Sequence, residues 1–143
     1  QVHGIGHGKT PDGARSVDHA RGLIRKFQLD QIAHIATKLA AIPEGDGTML
    51  DNTTIIYFSD VGDKHHASNR EWPFIVLGDM GGKLRSAGQY IQYPHKGHDG
   101  HHTIASWWLT LLEAAGKPQK RFGMMDNKVD PESQKNPLGE LLA

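Results

Sequence analysis

The run Thr53 to Phe58, TTIIYF, is β-branched or apolar at every position and is followed directly by Ser59 and Asp60. An unbroken run of this kind predicts a strand covered on both faces, the setting of a parallel sheet. Before it, Ile24, Phe27, Ile32, Ile35, Leu39 and Ile42 recur at spacings of three to five, which predicts a long amphipathic helix from about Val17 to Ile42, closed by Pro43. Downstream, Pro73 to Leu77 (PFIVL) reads as a second short strand and Gln89 to Tyr93 as a third, closed by Pro94. The connection from Val61 to Trp72 is too short to hold a full crossover helix. Thr103 to Ala115, with Ile104, Trp107, Trp108, Leu111 and Leu112, predicts a second helix that ends at Gly116 and Pro118. Gln1 to Ser16, rich in glycine, reads as loop.

Helices alternating with buried strands predict an α/β fold, a partial doubly wound and mostly parallel sheet flanked by helices. At 143 residues one domain, 1–143, is expected. Lys plus Arg and Asp plus Glu are equal at 16 each, so no standing positive field exists to hold a nucleic-acid backbone or an anionic membrane surface. No apolar run approaches the roughly 20 residues of a membrane span. The absence of cysteine excludes disulfides, thiolate metal sites and thiol nucleophiles. A start at Gln1 without a charged-then-apolar leader predicts a processed product or a fragment.

Chemistry concentrates in ten histidines, with His3 and His7, His65 and His66, and His95, His98, His101 and His102 forming three clusters. In an open α/β sheet, ligands collect beyond the carboxyl ends of the strands, and Asp60 lies at such an end. If the histidine loops open on the same edge, imidazoles and a carboxylate meet in a donor set that suits zinc or a similar divalent ion. Each residue has a plainer reading: loop histidines bonding backbone carbonyls, Asp60 capping a turn, and His102 contacting backbone at a helix start. Asp30 and His34 fit an ordinary helical i,i+4 pair. Ser59 lacks a Gly-x-Ser-x-Gly elbow. Trp107 and Trp108 read as core.

HGIGHG (His3 to Gly8), IPEGDGTMLDNTTIIYFSDVGDKHH (Ile42 to His66), WPFIVLGDMGGKLRSAGQYIQYP (Trp72 to Pro94) and the closing PLGELLA together resemble the bacterial family called domain of unknown function 1552. That resemblance covers nearly the whole chain. It implies the C-terminal part of a longer, usually exported protein of the periplasm or cell surface, with the N-terminal half of the same protein as its missing partner.

LDNTTIIYFSDVGD (Leu50 to Asp63) is more remotely similar to the strand and turn of the alkaline phosphatase and sulfatase superfamily, where Ser-Asp-His-Gly supplies metal ligands. This chain keeps Asp60 and Gly62 and has Val61 in the histidine's place. His3-Gly-Ile-Gly-His7-Gly8 resembles the superfamily's Asp-x-x-Gly-His-x-x-Gly segment, with His3 for the Asp, and His102 resembles its late histidine. The likeness implies metal ligands at His3, His7, Asp60 and His102, with His66 as substitute ligand or proton donor. It implies a phosphate or sulfate ester as the small anionic substrate, zinc as the divalent ion, and a nucleophile from the N-terminal half, so this chain alone is expected to be inert. Loss of the Asp at His3 and of the His at Val61 points to a single-metal or altered site. It also keeps open a catalytically degenerate surface or assembly module with at most a structural metal.

Overall fold

A computed structural model describes residues 2–59 and 72–143. In chain order these form α1 (Val2–Gly6), α2 (Val17–Ala40), β1 (Pro43–Glu44), β2 (Gly47–Thr48), β3 (Ile55–Phe58), β4 (Phe74–Leu77), α3 (Ile104–Ala114), α4 (Glu132–Lys135) and a 3-10 turn, Gly139–Leu141.

The fold is mixed α/β, and its strands pair antiparallel rather than parallel. β3 lies against β4 in the register Ile55↔Leu77 to Phe58↔Phe74, and β1 pairs β2 as a minimal hairpin. An antiparallel partner can be reached by a simple return of the chain, whereas a parallel one needs a crossover of a dozen or more residues. β3 is half-buried along Ile55 to Tyr57 with Phe58 exposed, so it is not covered on both faces as its composition predicts. Gln89 to Tyr93 forms no strand, and Gln1 to Ser16 is not all loop, since α1 occupies Val2–Gly6.

Cross-strand pairing brings Phe58 over Phe74, ring centroids 5.5 Å apart. These two rings carry the sheet onto α3: Phe58 meets Trp108 edge-on at 5.9 Å and Phe74 meets Trp107 at 5.1 Å. Trp108 in turn stacks on Phe122 at 5.8 Å. Such pairs add about 0.5–1.5 kcal/mol each beyond the area they bury. Leu109 at 1% exposure, Ser106 and Thr110 at 0%, and Leu138 at 4% complete the core. Gly78, at φ +88°, turns the chain out of β4 where a Cβ would stand 2.0 Å from the Thr53 carbonyl oxygen, so only glycine fits there.

The C-terminal segment is tied to α3 by buried polar bonds. The Ser133 carbonyl accepts from the Thr103 backbone N–H at 3.1 Å and the Ser106 hydroxyl at 2.9 Å. The Thr110 hydroxyl donates to the Ser106 carbonyl at 2.7 Å and accepts the Leu138 N–H at 2.8 Å. Beyond it the chain pairs with residues 83–85: Arg85 N–H donates to the Leu141 carbonyl at 2.9 Å, and Leu84 bridges Leu142. PLGELLA thus forms a strap that joins Thr110 of α3 to residues 83–85.

α2 is held more lightly. Ser16 caps it by accepting the His19 N–H at 3.0 Å, and Asp18 complements the positive end of the helix. Only Ala20 is buried. Asp30 pairs with Lys26 at 2.6 Å, on the side of the helix turn opposite to His34 in sequence.

Candidate functional site

Three places carry the chemistry singled out in the sequence. The first is α1. Helical winding puts residues four apart on one face, and His3 and His7 stand there edge to face with ring centroids 4.6 Å apart. The segment that reads as a glycine loop is therefore a short helix that makes a pair of imidazoles. Its carboxyl end is capped by Arg21 of α2, whose guanidinium donates to the carbonyls of Ile5 at 3.3 Å and Gly6 at 3.4 Å. Both rings are on exposed residues.

The second place is Asp60, His65 and His66, which lie outside the described residues.

The third is a groove of about 1170 Å³ bounded by β4, the stretch from Gln89 to Lys96, the start of α3, and Phe122 to Asp126. Its apolar floor is the Phe74, Trp107, Trp108 and Phe122 cluster. Tyr93, Lys96, His101 and His102 line it as well. Here the C-terminal strap supplies an acid: the Tyr93 hydroxyl donates to the Glu140 carboxylate. Tyr93 also presents its ring to His102, centroids 5.0 Å apart and nearly perpendicular. Burial first, then the Glu140 bond and charge, push the Tyr93 phenol well above its ordinary value. The same hydroxyl, and less strongly the charge of His102, hold the Glu140 carboxyl below the usual range. Lys96 donates to Asp126 at 3.1 Å, and Asp126 is held low chiefly by the Lys128 backbone N–H and then by the Lys96 side chain.

Among the described residues, two buried polar atoms on residues that line this groove have no hydrogen-bond partner, His102 Nδ1 and Trp107 Nε1. Buried polar groups are ordinarily satisfied, because leaving one bare costs about 1–3 kcal/mol. His101, next in the chain, does have a partner: its Nδ1 lies 3.1 Å from the Pro94 carbonyl oxygen.

His3 stands with His7, and His102 stands with Tyr93 and Glu140. Among the described residues no three His, Asp or Glu side chains form a group that holds a metal ion. Sequence reasoning passed over Tyr93 and Glu140 as site residues. The signal for them was faint: a tyrosine just ahead of the Pro94-to-His102 cluster, and one acid inside the otherwise apolar PLGELLA. Among the described residues no helix is long and apolar enough to cross a membrane. Comparison with family models, curated proteins and solved structures gives no match.

Proposed function

We propose that this chain is the metal-binding part of a hydrolase of phosphate or sulfate esters, resembling the metal-ligand half of phosphatases and sulfatases. The observation that carries the reading is the His3–His7 pair, two imidazoles 4.6 Å apart at helical i,i+4 spacing on an exposed face. Neutral imidazole is the commonest protein ligand for zinc, and two nitrogens on one helix turn form half of a tetrahedral set. Asp60 and His66 are the proposed further ligands, with His102 at the start of α3. A divalent ion held so would polarise the ester oxygen and lower the pKa of an attacking hydroxyl or water. The protein's own groups would do the rest: His3 and His7 would fix the ion's position, and the Tyr93 ring, anchored through its hydroxyl by Glu140, would pack edge-on against the His102 ring. The proposal also carries the finer fold and location: β3 and β4 as part of a wider doubly wound sheet completed by the rest of an exported protein.

A second reading, the surface or assembly module, is favoured by the apolar side chains that α2 leaves in solvent, Leu23 at 54% and Phe27 at 65% exposure. Metal content separates the two. Elemental mass spectrometry of the untagged chain should find zinc, and a His3→Ala, His7→Ala double variant should lose it. A folded chain that stays empty with zinc supplied overturns the hydrolase reading in favour of the module.

A further inference from the structure

The groove follows a strand edge rather than a sheet face. Trp72 to Val76 line it one after another, and no residue of β3 does. Side chains alternate between the two faces of a strand, so a groove on one face would take every second residue of β4 together with its β3 neighbours. Consecutive lining without β3 puts the groove along the edge of β4 that β3 leaves open. The sheet has two strands, and among the described residues the backbone of β4 pairs with β3 alone. Opposite, Gln89 to Lys96 form a second consecutive wall, in which Gln89 to Tyr93 make no backbone hydrogen bond among the described residues. The Tyr93 hydroxyl pins that wall to Glu140.

Native proteins usually blunt an open edge with charge, proline or a covering loop. β4, FIVL, carries neither charge nor proline, and its Ile75 is 44% exposed. The groove thus offers unpaired backbone groups along one side and the aromatic floor of Phe74, Trp107, Trp108 and Phe122 beneath, the two features by which a sheet edge binds an added strand.

Charge selects the kind of strand. The whole chain is balanced, but residues 94–128 carry five cations, Lys96, Lys117, Lys120, Arg121 and Lys128, against three carboxylates, Asp99, Glu113 and Asp126, with four histidines besides. Lys117, Lys120 and Arg121 make no ion pair or side-chain hydrogen bond among the described residues. They lead directly into Phe122, which stacks on Trp108 in the groove.

We propose that the groove is a docking site for an extended segment of another polypeptide, apolar and acidic in alternation, which adds to the open edge of β4 as a third strand. Its apolar side chains lie on the aromatic floor, and its carboxylates answer the cation excess of residues 94–128. The outer edge of β3 is left for the wider sheet proposed above, and no metal is involved.

The probe is a blocked hexapeptide, Glu-Val-Glu-Val-Glu-Val, titrated into the folded ¹⁵N-labelled chain. Amides of Phe74 to Leu77 and of Gln89 to Tyr93 should shift saturably, and β4 amides that point away from β3 should exchange more slowly. Two further peptides carry N-methyl groups on every second amide, one in each register, which removes the donors of one edge and keeps every side chain. One of the two should bind at least about tenfold more weakly than the parent peptide. Equal affinity of all three overturns strand addition. A Lys-Val peptide of the same length should bind at least about threefold more weakly at low salt; equal affinity overturns the acidic preference. No saturable shift at millimolar peptide overturns the proposal. So does a chain that sedimentation shows to be dimeric and closed to the peptide, which assigns the edge to a second copy. None of these outcomes touches the His3–His7 metal reading, which zinc content decides separately.

Discussion

α2 and α3 are both read from the same helical spacing of apolar residues, yet they end in opposite environments. α3, with 11 residues, buries Ser106, Trp107, Leu109, Thr110 and Ala114, whereas α2, with 24 residues, buries Ala20 alone. The difference lies in what each face meets. α3 has the Phe58 and Phe74 rings on one side and the C-terminal segment on another, where the Ser106 hydroxyl donates to the Ser133 carbonyl and the Thr110 hydroxyl accepts the Leu138 N–H. α2 spreads its apolar side chains around the barrel, and is joined to its surroundings by Arg21 on α1 and by the Tyr57 hydroxyl, which donates to Gln28 at 2.7 Å. Periodicity makes a helix; a complementary surface makes it a core element.

The contrast can be broken most strongly at Leu109. Leu109→Ala removes a side chain 1% exposed and should destabilise by about 2–5 kcal/mol in urea unfolding. A loss under about 1 kcal/mol would mean that α3 is no better packed than α2. Next comes Thr110→Val, which keeps the shape but strands the Leu138 N–H and should cost about 1–3 kcal/mol. Faster hydrogen exchange at Leu138 would place that loss at the strap.

On α2 the expected effects are smaller. Ser16→Ala removes the cap on His19 and should cost roughly 1 kcal/mol, visible as fraying of the first turn in amide chemical shifts. Phe27→Ala, at a side chain 65% exposed, should fall within about 0.5 kcal/mol of the parent. A larger cost would show that something covers this face in solution, which analytical ultracentrifugation of the parent would then reveal as self-association.

The smallest effect concerns acid. Thr48 holds the Asp51 carboxyl below its ordinary value, mainly through its backbone N–H and then its hydroxyl. A carboxyl depressed in the folded state stabilises above its unfolded value of about 3.9 and loses that contribution as pH falls through the lower folded value. Asp51→Asn should therefore flatten the decline in thermal midpoint below about pH 4, by an amount kept small by the carboxylate's full exposure to solvent.

Much of the local structure was legible. Pro43 and Gly116 marked where α2 and α3 close, and the TTIIYF and PFIVL runs located β3 and β4, because local propensity and apolar period act over a few residues. Strand direction was not, since an apolar run carries no record of which way its partner runs. Gln89 to Tyr93 is rich in the strand-favouring Tyr and Ile yet forms no strand, because a strand needs a partner edge as well as a composition. Of the site, His3 and His7 were picked out by spacing and are brought together, while Tyr93, Glu140 and the Pro94 carbonyl came from contacts far apart in the chain. Glu140 reaches Tyr93 across 47 positions.

What the sequence determined by itself is the placement of α2, α3, β3 and β4, the absence of cysteine chemistry, and the supply of imidazoles, all properties of neighbouring residues or of composition. The tertiary structure decided the antiparallel pairing, which helix became core, and the meeting of Tyr93 with Glu140 and His102. Those depend on surfaces and backbone groups meeting across long stretches of chain, which no local run of residues encodes.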